Sequence, residues 1–75
     1  MNRVLVVWHD AHSETESWCE AGEIDDEPYV VNTVGWLIAE AKPNHVVVAQ
    51  SYGVDGALDS ILSIPVGMVQ SLTVL

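Results

Sequence analysis

Four residues close to the N-terminus carry side chains that bind metals: His9, Asp10, His12 and Cys19. Zinc prefers histidine nitrogen and cysteine sulfur in tetrahedral sites. In an extended strand, however, His9 would point away from the face that Asp10 and His12 share, and Cys19 would have to return from a loop. The spacing fits none of the usual zinc patterns. We therefore predict neither a metal ion nor another cofactor here.

The same residues suggest nucleophilic catalysis, with Cys19 beside His9 or His12, or Ser13 beside His12. A nucleophile needs a base held within hydrogen-bonding reach. One cysteine and three histidines produce such pairs by chance, and a small chain has little room for a pocket that excludes water. We predict no catalytic residues and a protein that is not an enzyme, in which Cys19 is a small buried hydrophobe.

Binding chemistry is the better candidate, because eight of the eleven acidic residues lie between residues 10 and 27. We call residues 10–28 the acidic segment. Its carboxylates could imitate phosphates on a surface that engages a basic DNA-binding protein of a host, or they could dock another partner. They could also simply keep an apolar oligomer soluble. The candidate partner-binding residues are Glu23, Asp25, Asp26 and Glu27.

A second candidate binding residue is Tyr52, which lies in a loop with two glycines. A tyrosine ring there could stack on a base. An alternative function is therefore the sequestering of a nucleotide between subunits, with Arg3 and Lys42 repeated around a ring.

The charge composition excludes further classes of partner. Eleven acidic residues against two basic ones give a formal charge of −9. Phosphate binding depends on Lys and Arg, so we expect no general nucleic-acid binding and no attachment to an anionic membrane. The first apolar run spans five residues, too short for a signal peptide or a membrane span. We therefore expect a cytoplasmic protein.

Size favours self-association. We interpret the 75 residues as one domain, and a chain of this length buries only roughly 60% of the surface that its unfolded form exposes. Small domains compensate with disulfides, metals or oligomerisation. A disulfide within the chain is excluded because Cys19 is the only cysteine. We expect a homo-oligomer.

The elements that would position these residues are predicted to be short strands. Thr33–Ala41 and His45–Ser51 form a hairpin around a turn at Lys42–Asn44, where proline presets φ and asparagine tolerates a left-handed conformation. Gly35 predicts a bend or bulge. The remaining strands are predicted at Arg3–Trp8, at Ala57–Ile64, whose apolar spacing also fits a helix, and at Met68–Leu75 after a turn at Pro65–Gly67.

The acidic segment allows one short helix. Ser13 and Glu16 fit a capping box, so Glu14–Ala21 is either a helix anchored by Trp18 or a loop. The fold class is then all-β, with at most one short helix, as a small five-stranded barrel of SH3-like or Sm-like kind. Both hairpin strands carry apolar residues on both faces, so we expect one face to meet a neighbouring subunit. Leu37 and Val47 are the candidate interface residues.

Several short motifs resemble a group of short acidic proteins encoded by tailed phages and prophages. The motifs are Trp8-x-Asp10-Ala11-x-Ser13, Trp18, Thr33-Val34-Gly35-Trp36-Leu37, His45-Val46-Val47-Val48-Ala49-Gln50-Ser51 and Ile64-Pro65-x-Gly67. The resemblance implies a phage origin and a setting in the host cytoplasm. It carries no catalytic assignment.

The hairpin is also similar to the first motif of Sm-like proteins, in which a glycine lies within a strongly bent second strand. Gly35 is the matching position. The final segment, IPVGMVQSL, lacks the Arg-Gly pair that Sm-like proteins use near their RNA pocket. The resemblance therefore implies a barrel that assembles through strand edges, and it does not extend to RNA binding.

Overall fold

The chain forms one antiparallel sheet of five strands. The computed structural model describes residues 1–11, 18–24 and 27–75. Within them the elements are β1 (Arg3–Asp10), β2 (Tyr29–Leu37), β3 (His45–Tyr52), β4 (Leu58–Pro65) and β5 (Val69–Val74), with 3₁₀ turns at Ala21–Glu23 and Val66–Met68. None of the described residues is in an α-helix. The predicted all-β class and the five strands are confirmed.

The predicted barrel is wrong, because the sheet does not close. The strand order is β4-β3-β2-β1-β5, so β4 and β5 are its two outer strands and do not pair with each other. Barrel closure requires a matched tilt and stagger of the strands. An apolar pattern specifies which faces are buried, and it does not specify that stagger.

The core lies on one face of this sheet. Val4 and Val6 of β1 pack with Val48 of β3 and Ile64 of β4, and all four are buried. In an antiparallel sheet, directly paired residues point to the same face. Strand β1 lies between β2 and β5, and packing against Val48 and Ile64 covers its alternate valines on this face. Its other face, with Leu5 and Val7, is only half-buried.

The predicted hairpin differs in its bounds and pairs over only a short stretch. Strand β2 begins at Tyr29 and ends at Leu37, four residues before the predicted end at Ala41. The connection to β3 contains two left-handed residues, Glu40 (φ 57°) and Asn44 (φ 58°). The left-handed Asn44 agrees with the expected turn chemistry. Glu40 extends the turn, because such a conformation cannot continue a strand.

Strands β2 and β3 meet over only two residue pairs, Trp36 with Ala49 and Leu37 with Val48. Beyond them, the Ile38 N–H donates to the Val47 carbonyl at 2.9 Å. Gly35 lies at this junction: a Cβ there would be 2.9 Å from the Ala49 carbonyl oxygen and 3.2 Å from Val48 Cβ. The glycine is therefore required for close approach of the two strands.

Strand β4 carries two features that limit pairing on its outer side. The Val66 N–H donates to the Asn44 carbonyl. The backbone groups of successive residues in an antiparallel strand point to opposite neighbouring strands. The backbone nitrogen of Pro65 therefore faces away from β3. Proline cannot donate a backbone hydrogen bond and is tolerated at such edge positions. Ser60, in the middle of β4, is left-handed with φ 55°.

The helix considered for Glu14–Ala21 falls mainly on residues 12–17, which lie outside the described residues. In the described part, residues 18–20 form no regular element and Ala21–Glu23 is a single 3₁₀ turn. Trp18 is fully exposed, so it does not anchor this segment to the sheet. Across the described ranges, we find no helix that is both long and apolar enough to cross a membrane.

Candidate interaction surface

The described members of the candidate metal-binding cluster differ in how far they are exposed. His9 is half-buried near the end of β1, Asp10 is exposed, and Cys19 is exposed rather than buried as expected. His12 and Ser13 lie outside the described residues. Among the residues that are described, no group of three or more His, Cys, Asp or Glu side chains could hold a metal ion.

A shallow hollow of about 350 Å³ lies beside Cys19. It is lined by Trp18, Cys19, Glu20 and Glu23, and all four residues are exposed. A site for nucleophilic catalysis needs a base beside the thiol, and among the described residues no histidine lines this hollow. The described lining therefore offers Cys19 no histidine base.

Two of the four candidate acidic residues can be placed. Glu23 ends the 3₁₀ turn and is exposed, and Glu27 is exposed just before β2. Asp25 and Asp26 lie outside the described residues. Close to Glu23, the apolar side chains of Trp18 and Ile24 are also largely exposed. The described part of the acidic segment thus presents carboxylates together with two uncovered apolar groups.

Tyr52, the candidate stacking residue, closes β3 and contacts Trp36 of β2. Their ring centroids are 5.0 Å apart and the rings are nearly perpendicular, at 89°. Edge-to-face contacts of this kind are favourable for aromatic pairs. Tyr52 remains 43% exposed, so part of its ring is still accessible. The contact assigns it a packing role at the end of the β2–β3 junction.

The two candidate interface residues are engaged within a single copy. Val47 is only 5% exposed, and Leu37 is half-buried and packs against the core. They also lie on opposite faces, because Leu37 pairs with Val48 rather than with Val47. A subunit contact at these two residues stays a prediction, and the exposed apolar surface lies elsewhere.

That surface lies first on β5. Val74 pairs with Val4 and Leu72 pairs with Val6, so both share the face on which the core is built. Yet Val74 is 58% exposed and Leu72 39% exposed, whereas Val4 and Val6 are 0% exposed. Leu62 of β4 is similarly exposed although its partner Val48 is buried. We call Leu62, Leu72 and Val74 the apolar rim.

A third unpaired edge belongs to β2. The Leu37 N–H donates to the Asn2 carbonyl at 2.8 Å, and the β1–β2 register continues without a shift to Asp10 and Tyr29. Alternate residues of β2 therefore bond to β1, and those between them face away. Trp36 meets β3. In the described part of the chain, Val30, Asn32 and Val34 have no strand on that side.

Side-chain bonding holds this part of β2 to β1. The Trp8 indole N–H donates to Thr33 Oγ1 at 3.0 Å on the core face.

Sequence reasoning missed both the apolar rim and the free edge of β2. The alternation of Met68, Leu72 and Val74 was a visible signal for the rim, because one face of a strand without a second neighbour is only partly covered.

Comparison with known proteins adds no assignment: no family model, no curated protein and no solved structure matches this chain.

Proposed function

We propose that this protein is a non-enzymatic assembly module of phage type that acts as a homo-oligomer in the host cytoplasm. Strand edges and the apolar side chains beside them would form the contacts. The observation that supports it is the apolar rim: Leu62, Leu72 and Val74 share the core face of the sheet but stay 38–58% exposed. Exposed strand edges readily pair with other chains.

Light scattering and native mass spectrometry at micromolar concentration test this proposal. We expect an oligomer, and we expect Val74→Lys to weaken it, because lysine on an edge strand opposes pairing. Val54→Lys is the matched control: it adds the same charge at a fully exposed position in the β3–β4 loop. Thermal unfolding of both variants would show that the fold is retained.

A strict monomer at all concentrations tested would contradict the proposal. An oligomer that Val74→Lys and Val54→Lys weaken equally would indicate a general charge effect. In that case the rim would not be the contact.

A second candidate is an acidic inhibitor that occupies a basic surface of a host protein. It is favoured by the exposure of Trp18 and Ile24 beside Glu20 and Glu23. Tryptophan is enriched among residues that dominate binding energy, and such a residue is unusual in a segment that only solubilises. An exposed aromatic ring with flanking carboxylates suits a basic groove that has an apolar pocket.

Affinity capture from host lysate tests the inhibitor. The combined substitutions Glu23→Lys, Asp25→Lys, Asp26→Lys and Glu27→Lys should abolish capture of a basic protein, and Trp18→Ala should weaken it. Capture of the same protein by the charge-reversed variant would contradict phosphate mimicry.

A further inference from the structure

We propose that the first half of β2 pairs with β2 of a second copy, antiparallel, about a two-fold axis at Asn32. The inference rests on the proposed homo-oligomer and specifies which edge forms a closed contact. It concerns Val30–Val34 and not the apolar rim.

Backbone geometry provides the bonding groups. The N–H and C=O groups of Val30, Asn32 and Val34 face away from β1, as the bond from Leu37 to Asn2 requires. Centred on Asn32, the antiparallel register brings Asn32 opposite Asn32 of the second copy, and Val30 opposite Val34. Each such pair exchanges two N–H···O bonds. All the outward groups of this stretch would then be satisfied.

The side chains are self-complementary in the same register. Val30 and Val34 are 50% and 59% exposed, and they lie on the outer face of the sheet with Asn32, opposite the core. Across the two-fold axis, each valine would meet the other valine, and the two Asn32 amides would meet each other. Apolar cross-strand pairs and amide hydrogen bonds both stabilise such ladders. An isologous contact requires a self-complementary patch of this kind.

Charge identifies a second copy as the occupant. Two copies of a chain with net charge −9 repel each other wherever acidic side chains are opposed. Residues 28–39 contain no acidic or basic side chain, so β2 can approach β2 without placing like charges opposite each other. A basic partner would gain nothing from this uncharged strand, whereas it would gain from the acidic segment.

Pairing would also extend the half-buried outer face. On β1, Leu5 pairs with Val34 and Val7 pairs with Asn32. Joining two copies would therefore place six strands side by side in the order β5-β1-β2-β2-β1-β5, while β3 and β4 of each copy stay attached at the other end of β2. The outer apolar residues of the six strands would form one continuous patch across the dimer. The contact would therefore cover the free edge of β2 and join the two outer faces side by side into one surface.

Asn32→Pro tests the contact directly. Proline removes the Asn32 N–H, which faces away from β1, so the variant is expected to keep the monomer fold. It should raise the dimer dissociation constant at least about 100-fold, because both central bonds are lost and the ring obstructs pairing. The matched control, Asn32→Thr, keeps the N–H and should still dimerise.

Amide hydrogen exchange gives an independent measurement that does not depend on a variant folding. The amides of Val31 and Thr33 face β1 and should be protected at every concentration. Those of Val30, Asn32 and Val34 should become protected as the concentration rises through the dissociation constant. Exchange protection that alternates along these five residues would not result from a general stabilisation of the fold.

The outcomes separate the two proposals. An oligomer that persists in Asn32→Pro, with fast exchange at the alternate amides, would overturn the β2 contact and leave the homo-oligomer standing. A strict monomer would overturn both. Protection of Val30, Asn32 and Val34 that is independent of concentration would show a partner within the same chain, and it would also overturn the β2 contact.

Discussion

The sheet and the acidic segment differ in how their residues are held. In the sheet, Val4, Val6, Val48 and Ile64 are buried against one another, and each strand is aligned by a backbone ladder. In residues 18–24 of the acidic segment, every residue is exposed and a single 3₁₀ turn is the only regular element. Apolar side chains alone are therefore not sufficient for burial: Trp18 and Ile24 are apolar and exposed, and no ladder positions them against a neighbour.

The largest effect is expected in the core of the sheet. Ile64→Ala should lower the free energy of unfolding by about 2–5 kcal/mol, because it removes packed methyl groups and leaves a cavity. Chemical denaturation measures this change. Ile61→Ala, on the same strand at a position that is 50% exposed, is the control. An equal loss in both variants would break the distinction between buried and exposed positions of β4.

An intermediate effect is expected at the junction of β2 and β3, where Gly35 lies. Gly35→Ala places a Cβ 2.9 Å from the Ala49 carbonyl oxygen, and backbone must shift to admit it. Overpacking of this kind costs typically about 1–3 kcal/mol. Gly67→Ala, whose Cβ would meet nothing within 4 Å, provides the comparison in urea melts. Unchanged stability of Gly35→Ala would mean that the β2–β3 junction is loose.

The smallest effect is expected in the acidic segment. Glu20→Gln combined with Glu23→Gln should change the free energy of unfolding by less than about 0.5 kcal/mol, since exposed side chains away from packed features contribute little. Differential scanning calorimetry measures the shift. A clear destabilisation would show that the acidic segment supports the sheet, and it would weaken the case for a free binding surface.

The two regions also differ in how much the sequence could predict. β-Branched runs such as Arg3–Trp8 and His45–Ser51 gave strands close to their observed bounds, because alternation and β-propensity act locally. The choice of a strand for Ala57–Ile64 was right, since β4 spans Leu58–Pro65. The early end of β2 was missed, because nothing local marks Glu40 as left-handed.

Barrel closure and the interaction surface could not be predicted in the same way. Both depend on which edges remain without a neighbour, and this is decided by register over many residues. Leu37 and Val47 illustrate the problem: they are as apolar as Leu72 and Val74, and only the three-dimensional pairing shows which are covered. Cys19 was expected in the core for its residue type, although its surroundings are acidic and exposed.

Pro65 and the left-handed Ser60 have a consequence for how far such a protein can polymerise. A sheet with unpaired outer strands is exposed to open-ended fibre growth, in which each added chain presents a fresh template. A missing donor and a backbone irregularity leave only a short regular stretch on the outer side of β4. Open-ended stacking through β4 is thereby disfavoured, and a two-fold contact through β2 would use up its own edge without presenting a new one there.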